Sequence, residues 1–250
     1  AMAGPDELDS VGLKLDLPRP RHTNLSGYRV AVWADDDVAP VSQEVRERVL
    51  AIAKTVEDAG GSVDFDARPE FDSSEAHEIF QTLLWSAMAA RIPDADFAEM
   101  VKDAAALDPN DRSGGAMVLR TQTMTHHDHY RAHNKRMILR WAWDAFFKEY
   151  DAVIAPIMAT PAFRHDHRPM GQRKITIDGT ERPYFEQLFW AGLAVCCYLP
   201  STVIPTGPND DGLPIGVQII GRQFGDLETI GLSKLLEAEG YAFTPPSSYA

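Results

Sequence analysis

Apolar positions along the chain fall into short blocks that follow two different periods. Tyr28 to Ala34 (YRVAVWA) is rich in β-branched and aromatic residues and predicts a strand. Val41, Val45, Val49, Ile52 and Val56 follow at spacings of 4, 4, 3 and 4, the signature of a helix with one buried stripe. Gly60-Gly61 ends that helix, and Ser62 to Phe65 alternates like a second strand. The three blocks make a β-α-β unit, most simply with parallel strands. Ser73 or Ser74 is placed to cap a helix over Glu75–Ala90, and a shorter helix is expected over Ala95–Ala105. Thr121 to Tyr150 holds neither Gly nor Pro and predicts one long helix, with Met137, Ile138, Trp141, Ala145 and Phe146 on its core side.

Asp151 to Ala155 predicts a buried strand ended by Pro156. Residues 156–183 are loop-like apart from a hairpin strand at Lys174–Ile177, turned by Asp178-Gly179. Pro183 suits the start of a helix over Tyr184–Leu193. Ser201–Ile204 and Ile215–Ile220 predict buried strands on either side of the turn signal Asp210-Asp211-Gly212. Leu227, Ile230, Leu235 and Leu236 mark a last helix stopped by Gly240. Residues 1–27, rich in Pro, Asp and Arg, are expected to be an extended linker, residues 28–243 the folded unit, and residues 244–250 a loose tail. Alternating strands and helices indicate an α/β fold: a mixed β-sheet sandwiched by helices.

Composition narrows the function. Hydrophobic residues are 44% and charged residues 24% of the chain, as in an ordinary globular protein. The 37 acidic and 24 basic residues leave a net charge of −13, which repels phosphate backbones and anionic lipid, so neither nucleic acid nor a membrane is an expected partner. The most apolar stretch, Leu188 to Val203, is interrupted by Gly192 and Pro200 and is too short to span a bilayer. The cysteines, Cys196 and Cys197, are adjacent, a poor geometry for a mutual disulfide, and this favours a reducing, cytoplasmic setting. The opening Ala-Met-Ala-Gly-Pro-Asp has no basic or apolar region of a signal peptide and reads as an internal stretch of a longer sequence.

Three stretches carry a resemblance. Tyr150-Asp151-Ala152-Val153-Ile154-Ala155-Pro156 is similar to a YDVLLTP-like strand, and Ala3-Gly4-Pro5-Asp6 resembles an AGPD segment. Pro205-Thr206-Gly207, followed by Asp211-Gly212-Leu213-Pro214-Ile215-Gly216-Val217-Gln218-Ile219-Ile220-Gly221, resembles a PxG…DGLPxGVQxxG stretch. All belong, in the order in which they stand along this chain, to the amidase-signature family, whose C-terminal part the chain resembles. The long glycine–proline run reads as structural in its own right: a turn at Gly212-Leu213-Pro214, a buried strand from Ile215, and Gln218 hydrogen-bonding loops in the core.

The resemblance implies hydrolysis of a carbon–nitrogen amide bond through an acyl-serine intermediate, without a cofactor. The family's machinery is a serine nucleophile, a second serine on a cis peptide bond and a lysine base in a Gly- and Ser-rich setting. A serine hydroxyl attacks only when a base takes its proton, and a buried lysine can be that base. Gly60-Gly61-Ser62 is followed by Val63-Asp64-Phe65, and Ser113-Gly114-Gly115 by Ala116-Met117; neither matches that loop. The family's catalytic residues therefore map onto no position of this chain, and the chain alone is expected to be inactive. The resemblance implies instead a substrate-lining role for Ile157, Met158, Thr160, Phe163, Phe189, Trp190 and Cys196, an apolar wall suited to a hydrophobic or aryl amide. It implies a small-molecule amide and an N-terminal half of the domain as partners, with exposed apolar surface where that half docks. Self-association is a further expectation. The alternatives are a non-catalytic binding remnant and a subunit that complements a separate half, as in an amidotransferase-like assembly.

Two other constellations are weaker. His126, His129 and His133 share one helical face at a spacing that can hold a metal, but a polar face explains them as well, and no metal is assigned. Cys196 and Cys197 lie in an apolar segment that favours small buried side chains over a reactive thiol.

Overall fold

The computed structural model describes residues 4–245. Ala3 of the AGPD segment and residues 246–250 of the expected tail lie outside the described residues.

The strands, in chain order, are β1 (Arg29–Val32), β2 (Ser62–Asp64), β3 (Ala152–Pro156), β4 (Lys174–Ile177), β5 (Thr180–Pro183), β6 (Ser201–Pro208) and β7 (Pro214–Ile220). Five of them make one sheet in the order β2-β1-β3-β7-β6. β1 pairs in parallel with β2 and with β3. β7 is antiparallel to both neighbours, so it alone runs against the other four. β4 and β5 form a separate hairpin. Asp178 and Gly179 both take positive φ, 46° and 81°, as a two-residue hairpin turn requires. The mixed α/β class and the β-α-β opening are as the sequence predicts.

Each strand alternates its side chains between two cores. Val30, Val32, Ile154 and Ile219 face α1 (Gln43–Asp58) and α7 (Asp226–Ala238), whose Val49, Ile52, Val56, Leu232 and Leu236 fill that side. Ala31, Trp33, Val153 and Ala155 face the other side, covered by α2 (Ser73–Met88), α5 (His126–Phe146) and α6 (Leu188–Val195). α3 (Asp94–Ala106) and α4 (Gly114–Gln122) extend that helical layer, and none of the α3 residues is buried.

Several local expectations are corrected. The single helix over Thr121–Tyr150 is two: α4 ends at Thr123, and Thr125 starts α5 by accepting a hydrogen bond from Asp128 N at 3.1 Å. A capping threonine gives the chain a local alternative to helix continuation, which a search for Gly or Pro does not detect. Ile138 and Trp141 do not face the core; each is 69% exposed, and Leu139, Trp143 and Phe146 form the buried stripe of α5. α5 carries apolar residues on two faces, so periodicity alone picked the wrong phase. Ile230 on α7 is likewise half exposed, with Leu232 and Leu236 inside. The cap of α2 is Asp72, which accepts from Glu75 N at 2.8 Å, rather than Ser73 or Ser74. Tyr184–Leu193 divides into a short 3-10 turn over Tyr184–Gln187 and then α6.

The segment read as a linker has little regular structure, but its end is anchored. Arg21 N donates to Glu228 at 2.8 Å, and Arg21 Nη1 to Asp151 at 3.0 Å. The buried Asp151 also accepts from Arg29 N at 2.9 Å. Burial, reinforced by Glu228, pushes the nearby Tyr28 phenol well above its ordinary range.

β6 ends the sheet. Gly221 N donates to Pro200 O at 3.0 Å, and Thr202 stands opposite Ile219. By antiparallel alternation Thr202 and Ile204 turn their peptide groups towards β7, while Ser201, Val203 and Pro205 turn theirs outward. Pro205, which has no N–H, sits on the outward side, where proline costs the sheet no bond.

Candidate functional site

The central strand β3 delivers the chain to an open cleft of about 170 Å³. Ile157, Met158, Thr160 and Phe163, which follow β3, all line it, together with Val45 of α1 and Pro214, Ile215 and Gly216 of β7. The lining is mostly apolar, and Phe163 and Met158 are 43% and 37% exposed at its mouth. Phe163 is held edge-on by Tyr184, with ring centroids 5.9 Å apart. The Thr160 hydroxyl donates to Pro161 O at 2.9 Å, so it offers the cleft little more than its methyl group. Gly216 lets the strands approach closely: a Cβ there would fall 2.8 Å from Cγ1 of the half-exposed Val203, which would have to shift to admit it.

Phe189, Trp190 and Cys196 are not in this cleft. They are buried on the same side of the sheet, among the α2, α5 and α6 side chains. Phe189 and Cys196 border a second, small cavity of about 20 Å³ with His77, Leu139, Trp143 and Cys197. Trp190 is fully enclosed and donates from Nε1 to Ala39 O at 3.0 Å. The sequence therefore groups into one wall seven residues that the fold divides four and three.

Gln218 links the two places. It is fully buried, and its Nε2 donates to Pro156 O at 2.7 Å and to Trp190 O at 2.8 Å. Its Oε1 accepts from Ser201 Oγ at 2.8 Å. One amide thus fixes the exit of β3, the first turn of α6 and the start of β6. The turn after β6 is set by Asn209, which sequence reasoning missed: its side chain accepts from Asp211 N and Leu213 N at 3.1 and 2.8 Å, and Gly212 takes a φ of 77°. An Asn before Asp-Asp-Gly was the available signal.

Among the described residues no nucleophile–base pair lines this cleft; the contact between the Ser86 hydroxyl and the His129 imidazole lies away from it. His77 is driven down to about 4 by burial and stays neutral near pH 7. The two neighbouring thiols act on each other: Cys196 and burial raise Cys197, while Cys197, helped by Arg136, lowers Cys196 against its own burial. Both cysteines are buried, as their apolar surroundings predict. The three histidines do not converge. His129 Nδ1 meets Ser86 Oγ at 2.8 Å, His133 meets Arg136, and His126 packs by Tyr130. Among the described residues no group of three or more His, Cys, Asp or Glu is arranged to hold a metal, and no helix is long and apolar enough to cross a membrane.

The family model for amidases matches residues 1–230. The chain belongs to the amidase family. Solved structures agree with this amidase fold. A bacterial aryl acylamidase of the amidase signature family superposes with a TM-score of 0.67 at 19% identity, over 97% of this chain and 52% of that one. A glutamyl-tRNA(Gln) amidotransferase subunit from Thermotoga maritima gives 0.61 at 18% identity, over 94% and 48%. Among curated proteins, the corresponding amidotransferase subunit from Brevibacillus brevis is 25% identical over 95% of this amidase chain and 50% of its own length. The chain thus spans about half the length of the curated relatives it matches.

Proposed function

We propose that this chain is the C-terminal half of an amidase domain, acting in hydrolysis of an amide carbon–nitrogen bond through an acyl-serine. In this reading the nucleophilic serine, the cis-serine and the lysine base are supplied by polypeptide outside these 250 residues. The chain contributes most of a sheet and the wall Ile157, Met158, Thr160 and Phe163, while Phe189, Trp190 and Cys196 support the wall from beneath through Gln218. The observation that carries the proposal is the apolar cleft at the end of β3, in a family-matched chain whose described residues place no serine–lysine pair beside it. The reading favours an aryl or alkyl amide, because the cleft wall offers methyl, thioether and phenyl groups and no charge.

The names of the curated relatives favour a second reading, a chain that works within an amidotransferase-type assembly; in either reading the two free, buried cysteines suit a reducing, cytoplasmic setting. Both readings are tested on the purified chain with an aryl amide and a fluorophosphonate probe. Neither turnover nor labelling is expected, and an aryl amide should bind weakly in a manner reduced about fivefold in Phe163→Ala, about 1 kcal/mol for the lost ring contact. Acylation of any serine already in the chain would refute the division of labour proposed here.

A further inference from the structure

Away from the cleft, α5 presents two arginines on successive turns to one aromatic ring. The guanidinium carbons of Arg136 and Arg140 lie 4.6 and 5.1 Å from the Tyr198 ring centroid. Tyr198 holds a φ of 59° as the left-handed residue that closes α6, where Leu199 N donates to Ala194 O at 3.0 Å, and its ring is half exposed.

Neither arginine has a carboxylate partner among the described residues. The chain carries 37 acidic residues, yet the ion pairs among the described residues all use other cations. Among the described residues the side-chain hydrogen bond of Arg136 is to His133, and Arg140 donates to Gln223 Oε1 at 2.6 Å and, weakly, to Met137 Sδ at 3.3 Å. The Nε of each is buried without a partner among the described residues. A guanidinium has five N–H donors and no acceptor, so this pair is short of acceptors and of negative charge. Burial lowers the basicity of His133, and Arg136 and Arg140 lower it further, so the local field is positive inside an acidic protein.

We propose that Arg136, Arg140 and Tyr198 form a binding site for a carboxylate. Planar guanidinium groups match the two oxygens of a carboxylate. Val195, 61% exposed and three residues before Tyr198 in the chain, and the Tyr198 ring favour a carboxylate with an organic tail over a strongly hydrated phosphate. Two sources carry this chemistry: a free organic acid, such as an amide hydrolase releases, and an Asp or Glu side chain of another polypeptide. The site is read from its own geometry and needs no turnover, so its fate is separate from that of the amidase reading.

The test is a titration of the purified chain with sodium benzoate, at ionic strength held constant with chloride, read from the arginine Nε–H resonances. Saturable shifts of two resonances at millimolar benzoate are expected, with inorganic phosphate weaker. Arg140→Gln should weaken benzoate roughly tenfold, and Arg140→Lys, which keeps the charge and loses the fork, by less. If Arg140→Gln does not fold, the lysine variant carries the comparison. An N-acetyl-aspartyl amide that binds tighter than benzoate assigns the site to a side chain, and the reverse order assigns it to a free acid. Shifts that follow chloride without saturating, or a folded variant of unchanged affinity, overturn the proposal and leave the two arginines a structural clamp on Tyr198.

Discussion

Replacing Gln218 by leucine removes one side chain of nearly equal size and three hydrogen bonds. The buried Pro156 carbonyl loses its donor, the Trp190 carbonyl inside α6 keeps its helical donor and loses a second bond, and the Ser201 hydroxyl can turn to water. A buried acceptor left unpaired costs about 1–3 kcal/mol and a lost second bond about 0.5–1.5 kcal/mol, so the loss is about 1.5–4.5 kcal/mol before any gain. The extra apolar burial of leucine offsets about 1–2 kcal/mol, for a net destabilisation of about 1–3 kcal/mol. For a chain of this size that lowers Tm by about 2–12 °C. Urea denaturation followed by far-ultraviolet circular dichroism measures the same quantity, as a lower midpoint at unchanged slope. Gln218→Glu should be worse near neutral pH, because a buried carboxylate would face both carbonyls, and should recover as acid protonates it. A leucine variant within about 0.5 kcal/mol of the parent would refute the view that this amide ties β3, α6 and β6 together.

Acid sensitivity should trace in part to His77. The folded chain keeps its imidazole neutral down to about 4, against an ordinary value of 6.5, so between those values only the unfolded chain takes the proton. Stability should therefore fall with acidification by about 1.4 kcal/mol per pH unit across that window, about 3 kcal/mol in all, and His77→Gln should remove this slope in denaturation curves at pH 7 and pH 5. Asp151→Ala orphans the Arg29 N–H and releases Arg21; a loss of about 2–4 kcal/mol and faster proteolysis before residue 28 are expected, with Asp151→Asn milder because it still accepts from Arg29.

Much of this architecture is legible in the sequence because the sheet is buried and the chain alternates strongly. β1, β3 and β7 are compact apolar blocks, α1, β3 and β7 are closed by Gly or Pro, and tertiary contacts reinforce what local pattern predicts. Where the pattern is ambiguous it misleads. α5 carries Ile138 and Trp141 on one face and Leu139 and Trp143 on another, and only the packing of α2 against it decides which is inside. Capping by Asp72 and Thr125 is a matter of side-chain geometry that composition does not rank. The cleft residues after β3 are contiguous in sequence and so could be grouped beforehand. Phe189, Trp190 and Cys196 could not be separated from them, since their depth depends on α2 and α5, which lie far away in the chain.

The outer rim of β6 has a practical consequence. Among the described residues, two peptide N–H groups without a strand partner, at Ser201 and Val203, lie beside a half-exposed valine side chain, and the proline that would blunt such a rim comes only at position 205. Any extended segment that reaches this line can zip onto it through its own backbone, whatever its side chains. Concentrated solutions of the isolated chain should therefore thicken or precipitate from this side first.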